Sequence, residues 1–299
     1  MGNRIVLIGG SNVDYMAKSA KKLIEKNSNI GKLQISFGGV GRNIVENLAL
    51  IGNIVTFYTG IGNDAFGAQL KSELEEIGVK VISPKLDVSS SSYLAIHDVG
   101  GDMKVAICDS RAIDRIDIDF INRNDDDIKS SEYVCLEMNI SEKIIGDLLK
   151  YYPDKKWLVE AVSNEKAKRI SKHLDKVFLF KGNRKEAQAV IDSDTNNIRK
   201  NIQEILNRGA ENVVISNGSK SVYFGNKNGI DKVIVNPITD IKNTTGAGDA
   251  MFAGIVDQIC QGKELKEAII FSDKLATESL HADKAVSPSV VKYKYIHSE

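Results

Sequence analysis

Cysteine is nearly absent from the chain: three residues in 299, at positions 108, 135 and 260. Cys108, Cys135 and Cys260 form no Cys-x-x-Cys pair and have no histidine at ligand spacing, which excludes a disulfide framework and a structural zinc. A reducing, cytoplasmic setting fits that usage. Net charge is missing too, since 40 Lys+Arg balance 40 Asp+Glu. Binding to a phosphate backbone rests largely on charge neutralisation, and no local basic run makes up for the balance, so nucleic acid is not an expected partner. Long apolar runs are also lacking. The N-terminal run Ile5 to Ile8 has strand length and ends in glycines, far short of a signal or membrane-spanning segment, so no membrane partner is expected. Gly2 invites an N-myristoylation reading, but the positions after it lead at once into a strand that a fold would bury.

What is present is enough for a core. Hydrophobic residues make up 42% and charged residues 27% of the chain, and the length suits about two average domains or one large α/β domain with an appendage. Short apolar runs at Arg4 to Ile8, Ile54 to Tyr58, Tyr133 to Leu136, Trp157 to Glu160, Val177 to Phe180 and Val213 to Ser216 read as strands. Between them Asn43 to Ile51, Ala65 to Ile77, Ser141 to Leu149, Glu165 to His173 and Thr195 to Asn207 have apolar residues three and four apart, as helices do. Strands alternating with helices predict a mostly parallel sheet covered on both faces. No repeat or low-complexity linker divides the chain, so residues 1–299 are expected to form one domain.

One section breaks the rhythm. Ser91 to Ser110 shows two partly alternating runs around Val99-Gly100-Gly101-Asp102, the pattern of an antiparallel hairpin. Asp14 to Phe37 is too long and polar for a simple strand-to-helix connection. Together, about 14–37 and 92–112, they predict a small sheet standing off the main one, either a lid beside a cleft or a solvated hairpin without a gating role.

The late chain carries the strongest constellation. After the strand candidate Val233 to Val235, Asn243-Thr244-Thr245-Gly246-Ala247-Gly248-Asp249 is a compact turn, and Ala250 to Cys260 continues as an apolar helix. Glycines let the backbone approach a ligand, and the first amides of a helix have no intrahelical acceptors, so this corner can hold an anion. A carboxylate at Asp249 would repel a bound phosphate, which makes sense if it takes a proton from a hydroxyl attacking that phosphate. It would equally serve as a helix cap. Phe37-Gly38-Gly39-Val40-Gly41-Arg42-Asn43 lets the chain pass tightly round a small polar ligand, with Asn43 able to donate and accept. Gly9-Gly10-Ser11-Asn12-Val13-Asp14 puts a carboxylate beyond the end of the first strand, where open α/β sheets bind ligands, or makes an ordinary turn. Neither cluster is a P-loop or a dinucleotide fingerprint.

These motifs, in this order, resemble carbohydrate kinases of the ribokinase type, the PfkB family, over essentially the whole chain. Asn183-Arg184-Lys185-Glu186 matches the family's Asn-x-x-Glu motif, and it also reads as an ordinary capping box. The resemblance implies a ribokinase-like three-layer α/β/α sandwich with a small β-sheet lid, a homodimer paired through that lid, and ATP with magnesium as cofactors. It implies Asp249 as catalytic base, with Gly246, Ala247 and Gly248 as anion hole. Asp14, Gly39 and Asn43, with Asn12, Arg42 and Tyr93, would bind substrate. Asn183, Glu186, Ser216, Gly218 and Gly248 would bind the nucleotide, Glu186 reaching magnesium through water.

Within the family the likeness is nearest to pseudouridine kinases, carried by Gly38 to Ala49, Tyr93 to Ile96, Gly101 to Met103, Ala106-Ile107, Val159 to Ser163 and Lys166-Ala167. It implies ATP-dependent phosphorylation of a ribose 5′-hydroxyl, with another nucleoside kinase, a sugar kinase or a non-catalytic nucleoside-binding protein as the alternatives. Arg42 and Lys181 are candidates for added positive charge or for surface roles. His97 and Met138 are secondary contact candidates. Two positions depart from the family pattern. Asn243 replaces an aspartate of the potassium site, so the resemblance does not extend to potassium activation, and Ser221 replaces a glycine on the nucleotide side.

Overall fold

The strands form where the apolar runs lie. They are Arg4–Ile8 (β1), Asn12–Ser19 (β2), Gly31–Gly38 (β3), Ile54–Tyr58 (β4), Lys80–Ile82 (β5), Ser92–His97 (β6), Met103–Asp109 (β7), Tyr133–Glu137 (β8), Lys156–Glu160 (β9), Val177–Asn183 (β10), Asn212–Ser216 (β11), Ser221–Asn226 (β12) and Gly229–Ile234 (β13). The computed structural model describes residues 2–235 and 238–294.

Nine strands make one sheet in the order β13-β12-β11-β10-β9-β8-β1-β4-β5. The seven from β11 to β5 run parallel, and β12 and β13 add an antiparallel edge. Alternation sends successive side chains to opposite faces. Ile5, Leu7, Cys135, Leu158, Leu179 and Val214 enter one core with the helices Val40–Leu50, Ala65–Glu76, Ala247–Cys260 and Leu265–Leu280. Val6, Ile8, Val134, Leu136, Val159, Val213 and Ile215 enter the other, with Glu142–Tyr151, Arg184–Ile191 and Ile198–Asn207. The result is the three-layer α/β/α sandwich that the alternation of elements implied.

The second sheet is small, with order β3-β2-β6-β7. β6 and β7 are the expected hairpin, and β2 joins it in parallel alongside β6. Its strands span 12–38 and 92–109, within a few residues of the expected bounds. Asp14, Tyr93 and Cys108 are register partners on one face. Leu33 and Ile35 share the other with Tyr15, Leu94, Ile96, Val105 and Ile107.

Several expected elements differ in detail. Glu165 to His173 is no single α-helix: a short helix Asn164–Ala167 runs into 3₁₀ turns over Lys168–Lys176, with a non-helical break at His173. Its buried residues Ala167, Ile170 and Leu174 are three and four apart, and 3₁₀ geometry brings residues three apart onto one side as well as α geometry does. The helix expected from Thr195 starts at Ile198, because the Asn197 side chain accepts from Lys200 N at 3.2 Å and caps it there. The helix expected from Ala250 starts at Ala247, and the strand expected over 233–235 begins at Gly229 and ends at Ile234.

Candidate active site

The C-terminal ends of the parallel strands carry a polar row. On the face packed by Val40–Leu50 and Ala247–Cys260, the apolar alternation ends in a polar residue on four neighbouring strands: Ser216 on β11, Lys181 on β10, Glu160 on β9 and Glu137 on β8. Glu137, Glu160 and Lys181 are in direct register and are buried at 0%, 3% and 3% exposure.

Above this row sits the glycine turn. Gly246 has φ 87°, and a Cβ there would run into the Ala285 carbonyl, so only glycine fits. It caps Ala247–Cys260 without any side-chain hydrogen bond, and the first intrahelical bond runs from Ala250 N to Gly246 O at 2.8 Å. The amides of Ala247, Gly248 and Asp249 therefore lie in the first turn, where helix geometry supplies no partner and favours an anion. Lys181 holds that turn from below, its Nζ 2.9 Å from Gly248 O and 2.8 Å from Glu160 Oε2. A surface role for Lys181 is thus overturned.

Asp249, half-buried in the same turn, accepts from Asn43 Nδ2 at 2.8 Å. Burial raises its pKa, against the pull of the Asn43 amide and the Lys181 ammonium. It does not cap the helix. Asn43 is 4% exposed, and its Oδ1 is buried without a hydrogen-bond partner among the described residues. An acceptor left open beside a carboxylate suits a ligand hydroxyl. Asn43 is held here because its helix starts tightly: at Gly39, with φ 99°, a Cβ would lie 2.7 Å from Asn12 Oδ1 and 2.9 Å from Gly10 O.

Asp14 stands across from that helix start. Its carboxylate is bonded by Asn12 Nδ2 and rests where a Cβ on Gly38 would be. Burial pushes it up to about 6, partly offset by Asn12 and by the Arg42 charge. Arg42 itself is engaged elsewhere, its guanidinium 2.6 Å from Glu46 and 3.4 Å from Glu73. Tyr93 lies beside Asp14 in register, with its hydroxyl 3.6 Å from the Met103 sulfur.

Glu137 was not singled out from the sequence. Its Oε2 accepts from Gly10 N at 2.6 Å and its Oε1 from Asn139 N at 2.8 Å. Burial pushes it up to about 7, despite those bonds and the nearby Lys166 charge, and Asp249 is close enough to add to the rise. The signal for Glu137 and Glu160 is an apolar strand whose core-facing series ends in a carboxylate.

On the other flank Asn183 and Glu186 form a complete capping box: Asn183 Oδ1 accepts from Lys185 N at 2.9 Å and Glu186 N at 3.1 Å, and Glu186 Oε2 accepts from Asn183 N at 2.7 Å. Ser216 pairs with Asn183 in register. Gly218, at φ 59°, turns the chain into β12, where Ser221 is buried as the first residue. Asn243 Oδ1 accepts from Thr245 N at 2.9 Å and so shapes the entry to the glycine turn.

The sequence profile of the pfkB family carbohydrate kinases matches residues 3–290. The chain belongs to that family. Kinases of this family phosphorylate a hydroxyl of a sugar or nucleoside at the expense of ATP, with magnesium. The pseudouridine kinase of Escherichia coli (strain K12) is 29% identical over 293 residues, covering 96% of this chain and 93% of that one. A guanosine-inosine kinase of Exiguobacterium acetylicum is 24% identical, covering 92% and 94%. In fold, the Arabidopsis thaliana ribokinase complexed with ribose and ATP superposes with a TM-score of 0.81 at 18% identity, covering 99% of this kinase and 100% of that chain. The Thermotoga maritima ribokinase gives 0.82 at 21%, covering 96% and 97%.

The residues present fit magnesium. Among the described residues no group of three or more His, Cys, Asp or Glu is placed to cage a metal. Glu186 Oε1, however, takes no hydrogen bond among them and is a free hard oxygen donor. A hydrated ion held between phosphate oxygens and Glu186 suits that arrangement.

Proposed function

We propose that the protein phosphorylates the ribose 5′-hydroxyl of pseudouridine, giving pseudouridine 5′-phosphate and ADP. The observation that carries the reading is the Asp249–Asn43 pair, set at a helix start whose first amides suit an anion, with the Asp14 carboxylate against Gly38 just before the helix that carries Asn43, in a chain 29% identical to a pseudouridine kinase. Asp14 and Asn43 Oδ1 accept from ribose hydroxyls and hold the sugar. Asp249 takes the proton of the 5′-hydroxyl as that oxygen bonds to the terminal phosphorus of ATP and the bridging P–O bond to ADP breaks. A carboxylate raised by burial is a better base than a free one. The amides of Ala247 and Gly248 face the charge on the transferring group, which is the largest contribution a protein makes to this chemistry. Magnesium, when bound, would neutralise phosphate charge, and Glu186 would hold it through water, with Asn183 fixing Glu186 through the capping box. Asn12 fixes Asp14, and Ser216 and Gly218 border the nucleotide.

The small sheet is the lid of this reading and excludes water from the transfer. Its outer face, with Leu33, Ile35, Val105 and Ile107 at 62%, 44%, 48% and 61% exposure, is covered by the same face of a second copy, giving a dimer by sedimentation velocity that Leu33→Glu with Ile107→Glu returns to monomers.

The test is ADP release with magnesium-ATP against pseudouridine, uridine, adenosine, ribose and fructose, with mass spectrometry of the products. Pseudouridine is expected to win by kcat/KM; equal or better turnover of another acceptor overturns the substrate assignment and leaves the kinase. Asp249→Asn is expected to bind both substrates and lose at least about a hundredfold in kcat, and near-normal turnover would remove Asp249 as the base.

A further inference from the structure

Within the described residues the chain passes between the two sheets four times: after β1, after β3, before β6 and after β7. Three of those crossings rest on one short connection, the one from β4 to the helix Ala65–Glu76. Thr59 Oγ1 lies 3.0 Å from Ser11 Oγ, just before β2. A Cβ at Gly60 would lie 2.1 Å from the Ala112 carbonyl oxygen, just after β7, and one at Gly62 would lie 2.0 Å from Ser90 N, just before β6, an approach that glycine alone permits. The helix itself meets the fourth crossing. Glu73 faces Arg42 at 3.4 Å, three residues past Gly39, and the Phe66 ring stands edge-on to Tyr15 on β2 and Phe37 on β3, with centroids 6.0 and 6.5 Å away.

Asp64 joins these parts. Its Oδ1 accepts from Gly67 N at 2.7 Å and caps the helix, which is all a helix start asks of it. Yet Oδ1 also accepts from Ser90 Oγ at 2.8 Å, and Oδ2 accepts from Ser90 N at 2.7 Å. Burial raises its pKa, but the bonds from Ser90 and Gly67 together outweigh burial and hold the carboxyl below its ordinary value, so the acceptor is a carboxylate and its bonds are charge-assisted. Ser90 and Ser91 are buried at 7% and 5% exposure. Ser91 O accepts from Val13 N at 2.8 Å, and Ser91 Oγ from Ile113 N at 3.3 Å. The route from Asp64 to the cleft is therefore short: from the carboxylate to Ser90 N, along one residue to Ser91 O, across a hydrogen bond to Val13 N, and on to Asp14, which pairs with Tyr93 in register.

We infer that Asp64 is a positioning residue for the reaction: by fixing Ser90 it sets where β2 and β6 leave the main sheet, and so where the Asp14 carboxylate stands against the acceptor. A cap needs only one of its oxygens, and the other serves Ser90 alone. The inference rests on the reading of Asp14 as an acceptor-binding residue in the function proposed above.

Asp64→Ser tests it, because serine caps a helix about as well as aspartate but has no second oxygen to hold Ser90. In steady-state kinetics with the best acceptor of the panel above, Asp64→Ser is expected to raise the acceptor KM about tenfold, to change kcat by less than about threefold and to leave the KM for ATP where it was. A residue that only caps its helix would move none of these. An acceptor KM at the wild-type value, or equal rises in KM for acceptor and ATP, overturns the inference. Asp14→Asn, measured alongside, separates it from the reading beneath it. If Asp14→Asn keeps the wild-type acceptor KM, Asp14 does not bind the acceptor and the inference falls with that reading; if Asp14→Asn is impaired and Asp64→Ser is not, the inference alone falls. Should Asp64→Ser fold poorly, Ser90→Ala decides, since it deletes only the hydroxyl bond: an acceptor KM raised about threefold with the ATP KM unchanged supports the assignment, and a wild-type acceptor KM overturns it.

Discussion

Asp249, Asn43 and Asp14 could be found from the sequence because each stands in or beside a glycine turn whose chemistry is local. Lys181 and Glu160 could not, because a lysine after Phe178-Leu179-Phe180 reads the same whether it ends a strand in solvent or under a helix. Burial decides between the two, and burial comes from the helix Ala247–Cys260, some seventy residues later in the chain. Lys181 and Glu160 are a buried ion pair at 2.8 Å, with Glu160 pushed up by burial and Lys181 held charged by Glu160, Glu186 and Asp249 despite its burial. Removing one partner of such a pair leaves an uncompensated charge. Lys181→Met is expected to cost about 3 kcal/mol in chemical denaturation, and Lys181→Met with Glu160→Gln to recover most of it. The double variant stays impaired in kcat, because the Gly248 carbonyl has lost the ammonium that fixes the anion-binding turn. If the double variant regains full turnover, Lys181 acts on stability alone.

At the scale of elements, what could be read was what repeats. The parallel strands and the helices between them showed through their periods, and the β6–β7 hairpin through its turn residues, whereas the 3₁₀ stretch Lys168–Lys176 has apolar spacing compatible with either helix type. The helix Ala247–Cys260 shows how an element end becomes a site. Its buried residues run almost without interruption from Ala250 to Ile259, so packing on the sheet and on Leu265–Leu280 fixes its axis, and Gly246 alone sets how the chain enters. Gly246→Ala meets both an unfavourable φ and the Ala285 carbonyl, and is expected to destabilise by about 1–3 kcal/mol. The strain is relieved by displacing the first turn, so kcat is expected to fall about a hundredfold or more while nucleoside binding, in the proposed function centred on Asp14 and Asn43, weakens far less. A parallel loss of nucleoside affinity and kcat in calorimetry and kinetics would mean that the turn organises the whole cleft.

For the whole molecule, the strand order brings together what no stretch of sequence joins. β8 lies between β1 and β9, so Gly10, Glu137 and Glu160 become neighbours although the chain separates them widely, and the cleft therefore gathers buried carboxylates. Asp14 is raised from 3.8 to about 6 and Glu137 from 4.5 to about 7, in each case chiefly by burial. Both folded values lie above the unfolded ones, so between about pH 4 and pH 7 the native state binds more protons than the unfolded chain, and stability falls as pH rises through that window. In the proposed mechanism catalysis needs the opposite protonation state, since there Asp14 accepts from ribose and Asp249 takes a proton. The unliganded protein is thus expected to gain thermal stability on going from pH 7.5 to 5.5, while kcat/KM declines below about pH 6 and takes no benefit from the extra stability. Glu137→Gln separates the two effects: it is expected to reduce the stability gain above pH 6, where Glu137 titrates, leaving the part carried by Glu160, which burial pushes up to about 8, and to leave the acid limb of kcat/KM in place, because Asp14 and Asp249 still protonate. Stability of the wild type that falls with pH between 7.5 and 5.5, in step with activity, would mean that these carboxylates are ionised in the native state without cost and that the burial argument for the cleft is wrong.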